Sequence, residues 1–186
     1  MFAVVILLFF LLVPAAQPTE TWYWGLRDGE LISFNANGEE QGIADSNGEP
    51  EFGWRFDAET ALYITEDIED VTHLYRLTAE AATEIPLPDE REFTQPRRML
   101  DHAGDYVVLW ASDSGVLPSP GILVNATDAT AELLTGDVAR VAYFAGSKDA
   151  PDVLRYFSVN PDEDRWTLLE RDLASGDEHE IHAFEA

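Results

Sequence analysis

Beyond residue 20 the chain alternates short apolar and aromatic runs with clusters of Gly, Asn, Asp and Pro. No stretch of ten or more positions there keeps a 3.6-residue apolar period. Short runs of this kind, bounded by turn formers, are the pattern of strands. The runs that read as strands are Thr21–Leu26, Leu31–Asn35, Ala61–Thr65, His73–Thr78, Tyr106–Ala111, Gly121–Asn125, Arg140–Ala145, Leu154–Val159 and Trp166–Asp172. Turn signals separate them, among them Arg27-Asp28-Gly29, Asn37-Gly38, Asp113-Ser114-Gly115, Asn160-Pro161-Asp162 and Ser175-Gly176-Asp177. The pattern predicts an all-β, antiparallel chain. Apolar residues make up 46% of the 186, enough to furnish a core and to exclude general disorder.

The first sixteen residues, MFAVVILLFFLLVPAA, break this rhythm with an uncharged apolar run. The run is somewhat short for a spanning helix, which needs about twenty apolar residues. Val13-Pro14-Ala15 fits the small-x-small pattern of a signal-peptidase site, so a mature chain would begin near Ala16 or Gln17. No Lys or Arg precedes the run, so an uncleaved membrane anchor and a buried strand stay open beside a cleaved signal. The first two lead to an exported protein, periplasmic or extracellular, that touches a membrane only through residues 1–16. The remainder, residues 21–186, reads as one β-repeat domain.

Aligning the runs exposes a longer period. A strand, a tight turn and a short strand recur from Leu31, Leu74, Ile122 and Leu168, with turn positions Gly38, Ala81, Ala129 and Gly176 spaced by 43, 48 and 47 residues. That is the length of one four-stranded antiparallel meander with its loops. A second element, a turn followed by an apolar strand, recurs at Phe56–Thr65 and Leu100–Trp110. Three full units begin near Trp54, Pro96 and Val138, after a partial one at residues 21–49. The run Glu180–Phe184 is the candidate to complete that first unit.

These units resemble the TolB-type, WD-repeat-like β-propeller repeat, whose hallmark runs roughly Phe-Ser-Pro-Asp-Gly, a hydrophobic strand, then Ser-Asp. The nearest copy is Leu100-Asp101-His102-Ala103-Gly104, followed by Tyr106–Trp110 and Ser112-Asp113; no intact Ser-Pro-Asp-Gly occurs. Asp172-Leu173-Ala174-Ser175-Gly176-Asp177 is similar to the family's second half, Asp-Leu-x-Thr-Gly-Glu. The resemblance spans residues 22 to 185. It implies four-stranded meander units arranged as a partial or small β-propeller, with an ordinary twisted β-sandwich or open meander as the alternative; a repeat architecture without an assembled catalytic constellation reads as a non-enzymatic binding or scaffold module for protein.

Charge narrows the partners. There are 36 Asp and Glu against 11 Lys and Arg, a formal net charge of −25, and Lys148 is the single lysine. Such a field repels nucleic acid and anionic headgroups. It reads as a solvated surface, suited to a salty habitat that screens self-repulsion, or less simply as a surface for cations or a basic partner. The absence of cysteine excludes disulfides, thiolate catalysis and lipidation through cysteine.

Candidate chemistry is sparse. His179 and His182 in Asp177–His182 attract attention as metal ligands, yet on a regular strand residues three apart point to opposite faces. His73 and His102 stand apart from them in sequence. Calcium has hard-oxygen candidates in Glu66-Asp67-Ile68-Glu69-Asp70, Asn160-Pro161-Asp162-Glu163-Asp164 and Asn35-Ala36-Asn37-Gly38-Glu39-Glu40, but none carries the twelve-residue loop pattern. No Gly-x-Ser-x-Gly elbow or phosphate loop occurs. Asn125-Ala126-Thr127 matches a glycosylation sequon but reads more simply as turn chemistry. Trp22, Trp24, Trp54, Trp110 and Trp166 read as core, with Trp22 and Trp24 on one strand face and Tyr23 on the other; a sugar-stacking platform is the alternative. No catalytic residue and no cofactor is expected. The runner-up functions are a carbohydrate- or phosphate-ester-acting propeller enzyme and a fragment of a larger propeller.

Overall fold

A computed structural model describes residues 21–28, 30–45, 49–55, 60–66, 72–88, 98–111, 118–160 and 165–185. The apolar segment 1–16, the acidic runs 67–70 and 161–164, the turn 113–115 and the side chain of Trp54 lie outside the described residues.

The fold is all-β and antiparallel, with consecutive strands forming four sheets. The first sheet holds β1 (Trp22–Arg27), β2 (Glu30–Asn35) and β3 (Glu40–Asp45). The second holds β4 (Glu49–Arg55), β5 (Ala61–Glu66), β6 (Thr72–Leu77) and β7 (Ala82–Ile85). The third holds β8 (Arg98–Ala103), β9 (Tyr106–Trp110), β10 (Gly121–Asn125) and β11 (Thr130–Leu133). The fourth holds β12 (Asp137–Gly146), β13 (Pro151–Asn160), β14 (Arg165–Asp172) and β15 (Glu178–Glu185).

The expected central strands are present, and the strands that the sequence pattern passed over are mainly the outer ones, β3, β4, β7, β8 and β11. Edge strands carry one polar or charged face and accept proline, as β4 accepts Pro50, so they lack a continuous apolar run. The stretch Leu100–Gly104, read as a turn before a strand, is the end of β8 running into a tight turn at Gly104, whose φ of 53° suits glycine. Glu180–Phe184 does not complete the first unit. It lies within β15 and pairs with β14 in the fourth sheet, from Arg165↔Glu185 to Arg171↔Glu178. A short hairpin after Asp172 brings β15 back onto β14, so the nearest open edge takes it.

The hairpin joining the last two strands of each sheet sets a common register. Asn35 Oδ1 accepts from the amides of Asn37 and Glu39, each at 3.0 Å. Thr78 Oγ1 accepts from the Ala81 amide at 3.2 Å. Asn125 Oδ1 accepts from Thr127 at 3.0 Å and Asp128 at 3.1 Å. Asp172 Oδ1 accepts from Ala174 at 3.0 Å and Ser175 at 2.7 Å. Small polar side chains that bond the backbone two or three residues on are natural hairpin closers. These four residues are spaced by 43, 47 and 47 positions. Counting back from each aligns the strands, so that Gly25, Tyr63, Leu109 and Tyr156 occupy one position of the repeat.

The sheets stack in chain order. Leu31 of the first meets Ala61, Tyr75 and Leu77 of the second. The second sheet's other face, Leu62, Ile64, Leu74 and Ile85, meets Val107, Leu109, Ile122 and Val124 of the third. The third sheet's other face, Val108, Trp110 and Leu123, meets Val138, Leu154 and Tyr156 of the fourth. Trp110 is fully buried, and its indole Nε1 donates to the carbonyls of Val138 at 2.9 Å and Ser119 at 3.1 Å. The second and third sheets are thus apolar on both faces.

Removing that indole opens a cavity and takes one donor from each of two carbonyls, which keep the backbone bonds of the Ser119–Val138 bridge. Trp110→Ala is therefore expected to cost about 3–5 kcal/mol of unfolding free energy, read as a shift in denaturant midpoint. A loss under about 1 kcal/mol would mean the third–fourth interface is not a close-packed core.

Candidate functional site

The sequence-derived candidates do not converge. His73 lies in the second sheet, its Nδ1 2.9 Å from Glu84 Oε1 on the neighbouring strand. His102 lies on β8 of the third sheet. His179 and His182 are both on β15, and here the geometry differs from that of a regular strand. A bulge at Ile181 shifts the register, so that His182 pairs with Leu168 and His179 with Glu170. Leu168 and Glu170 are two apart on β14, so both histidines lie on the same face; a bulged residue resets the alternation. Each is engaged: His179 Nε2 lies 3.3 Å from Glu170 Oε1, and the His182 and Phe184 rings meet in a T-shaped arrangement with centroids 4.5 Å apart. Among the described residues no group of three or more His, Cys, Asp or Glu is placed to hold a metal ion.

The run Asn35–Glu40 is a hairpin, and its oxygens serve the turn. Asn35 Nδ2 donates to Glu39 Oε2 at 2.6 Å, besides the two amides that Asn35 accepts from. Asn125 of the sequon likewise closes its hairpin, with Nδ2 donating to Asp128 Oδ2 at 2.8 Å. Trp24 packs against the core between the first two sheets, and its Nε1 donates to the Thr78 carbonyl at 2.9 Å. Tyr23 faces the other way, stacked on Phe34 at 5.6 Å.

What sequence reasoning missed lies between the third and fourth sheets. A cleft of about 530 Å3 opens there, flanked by the hairpins that Asn125 and Asp172 close. Its lining includes Tyr106, Asp128 and Glu132 from the third sheet side, and Arg171, Leu173 and Ser175 from the fourth. Arg171, with 13% side-chain exposure, donates from Nη1 to Glu178 Oε1 at 3.1 Å and from Nη2 to Glu132 across the junction. Glu178 Oε1 also accepts from the Tyr156 hydroxyl at 2.8 Å, and that hydroxyl in turn accepts from the Thr135 amide at 3.1 Å. Burial, reinforced by Glu178, pushes the Tyr156 hydroxyl well above the ordinary tyrosine range, so it stays a donor at any physiological pH. The network ties the fourth sheet to Glu132 of the third and pairs the arginine charge with two carboxylates.

One signal for this site was present in the chain. The turn-anchored register puts Arg171 where the other units carry Phe34, Leu77 and Val124. A cation at a repeat position that is otherwise apolar marks a local exception, and in a chain with 11 basic residues it stands out further.

The cleft presents an aromatic ring, hydroxyls, two carboxylates and an arginine already paired with carboxylates. By architecture the chain belongs to the all-β proteins built of stacked antiparallel meander sheets. No known family model matches it, and no curated protein matches it in sequence.

The Asp172 hairpin forms one rim of the cleft. The Ser175 amide and hydroxyl, and then the Ala174 amide, hold the Asp172 carboxyl below the ordinary carboxylate range. A carboxyl with a depressed folded-state pKa stabilises the fold at pH above its unfolded value, about 3.9, and loses that contribution as pH falls through the folded value. Asp172→Ala is accordingly expected to lower the thermal midpoint at neutral pH, with the gap to the parent closing below about pH 4. Parallel melting curves between pH 7 and pH 2 check this. A gap that stays constant over that span would remove the carboxylate from the rim's stability.

Proposed function

We propose that this protein is an exported, non-enzymatic binding or scaffold module of β-propeller type whose partner is a protein. The observation that carries the reading is the stack of repeated meander sheets whose matching hairpins border a preorganised polar cleft. Repeat architectures of this kind present loops and junctions as shared recognition surfaces on a rigid frame. The repeat length, the Asp172–Asp177 hairpin and the resemblance of both to the TolB-type repeat support the propeller reading. The apolar run at residues 1–16 supports export, by cleavage or by anchoring. The net charge of −25 favours a partner surface that is neutral or basic, and disfavours nucleic acid and anionic lipid.

The test is capture from the exported fraction with the parent and with Ser175→Trp. Ser175 is exposed on the cleft lining, so an indole there fills the space without touching the core. The parent is expected to retain a discrete protein, and the variant, which loses the Ser175 hydroxyl's bonds within the hairpin but keeps both backbone amides, to unfold in a single transition and to bind that protein at least about tenfold more weakly, a loss of about 1.4 kcal/mol of binding free energy. If no protein is retained while a glycan array gives strong hits that Ser175→Trp abolishes, the scaffold reading fails and a carbohydrate-acting protein replaces it.

A further inference from the structure

The second–third and third–fourth junctions use the same repeat positions to different ends. In the second–third junction Ile85, Val124 and Ala126 are buried in one core. The hairpins closed by Thr78, Asn125 and Asp172 follow one another at 47 positions, and that step takes Ile85 to Glu132, Val124 to Arg171 and Ala126 to Leu173. What is apolar closure in one junction is an ion pair in the next, Arg171 Nη2 donating to Glu132. The exchange forgoes apolar burial at the place where the cleft of about 530 Å3 opens. A unit that keeps the register of its repeat and gives up core at one place marks that place as a site.

The groups around the cleft then specify what can enter it. Cross-strand pairs Leu123↔Glu132 and Asn125↔Thr130 set these residues on one wall, and Asp128 sits in the hairpin between their strands. Several donors of the lining are already committed within the protein. Arg171 donates from Nη1 to Glu178 at 3.1 Å and from Nη2 to Glu132. Ser175 Oγ donates to Asp172 Oδ1 at 3.1 Å, and the Tyr106 hydroxyl to the Leu173 carbonyl at 3.5 Å.

Acceptors are left over. Among the described residues the Asp128 carboxylate accepts only at Oδ2, from Asn125, and that of Glu132 only at Oε2, from Arg171. Each of these exposed carboxylates keeps one oxygen for a ligand. Two carboxylates against one arginine, which Glu178 also shares, leave the lining net negative in a chain that totals −25. That charge repels an anion. A neutral ligand can pair the acceptors but leaves the charge unanswered.

Resting on the reading of this cleft as the seat of a protein partner, we infer that the partner group it takes is a basic side chain, arginine or lysine. The N–H donors of that side chain meet Asp128 and Glu132. Its aliphatic stem packs on Leu123, Leu173 and the Tyr106 ring, since long basic side chains cover apolar surface with their stems and keep the charged head among polar groups. The aromatic ring also attracts the cation itself.

The test titrates the full chain, at about 0.15 M salt, with the blocked amides of arginine and lysine and with that of citrulline, the uncharged isostere of arginine. Backbone amide resonances report where each binds. The two basic amides are expected to give saturable shifts at Asp128, Thr130, Glu132 and Leu173, and citrulline amide none there. Asp128→Asn removes a charge but keeps an oxygen to close the hairpin, so it should unfold as the parent does. It is expected to bind the basic amides about twofold to fivefold more weakly, the range for one exposed ion pair. Glu80→Gln removes the same charge from an exposed position in the second sheet's hairpin and is expected to leave the titration unchanged. No saturable shift with either basic amide overturns the inference, as does an equal response to citrulline amide. Shifts spread over the surface and weakened equally by both variants assign the binding to net charge, and overturn it too. The same variants in the capture experiment separate this inference from the reading beneath it. Capture that Ser175→Trp weakens and Asp128→Asn leaves unchanged keeps the protein-binding cleft and removes the basic group. Capture indifferent to Ser175→Trp removes the cleft, and the inference with it.

Discussion

The structure depends on the second and third sheets being apolar on both faces. Antiparallel sheets commonly cover one face and wet the other, which gives alternation of apolar and polar residues along each strand. Here Leu62 and Ile64 face one neighbour while Ala61 faces the other, and Val107 and Leu109 face one neighbour while Val108 and Trp110 face the other. Such strands need two covering layers, so the chain must place sheets before and after them. The stacking order follows from this requirement together with short connections, which keep consecutive sheets adjacent in space.

Register decides whether those faces meet. A slip of one residue in any hairpin would send every buried side chain of a strand to the wrong junction. The chain fixes register with the same device four times, a side-chain oxygen of Asn35, Thr78, Asn125 or Asp172 bonded to backbone amides of its own hairpin. Local turn chemistry and long-range burial therefore agree, and that agreement between levels is what lets one sequence specify one fold. It also explains why exceptions to the repeat are informative. Arg171, Arg155 and Gly25 keep the register and break the apolar pattern, Arg171 at the third–fourth junction, Arg155 on the fourth sheet's other face and Gly25 in the first sheet.

This separates what was legible in the chain from what was not. Central strands could be read because Tyr106–Trp110 or Gly121–Asn125 are continuous apolar runs, and only a doubly covered strand needs to be one. The repeat length could be read because turn residues are constrained by backbone geometry alone. Strands such as β7, with Thr83 and Glu84 exposed, could not, since an outer strand is held by its ladder and needs little apolar content. The cleft was illegible for a different reason. Arg171, Glu132 and Glu178 come from β14, β11 and β15, and nothing in their sequence spacing announces that they meet. The side on which His182 lies was likewise hidden, because one inserted residue at Ile181 reverses the parity that spacing predicts.

The acidity of the chain then acquires a structural consequence beyond solubility. With 36 carboxylates to 11 basic residues, most acidic groups have no cation to pair with, so where the basic groups are placed matters. Arg27–Glu40 and Arg165–Glu180 are exposed pairs, which water and salt screen, so they add little to stability. Arg171 differs because its guanidinium reaches two carboxylates at once from a largely covered position, joining the third sheet to the fourth. A lysine carries one compact ammonium and lacks the planar fork that allows such bridging, which gives a physical rationale for arginine there. Added salt acts on these groups in opposite senses: it weakens the exposed pairs and relieves the repulsion among unpaired carboxylates, while the partly buried Arg171 bridge is screened least. The apolar junctions are strengthened by salts excluded from the surface. High ionic strength is consequently the condition in which the apolar junctions between the sheets act with least opposition from the charge around them.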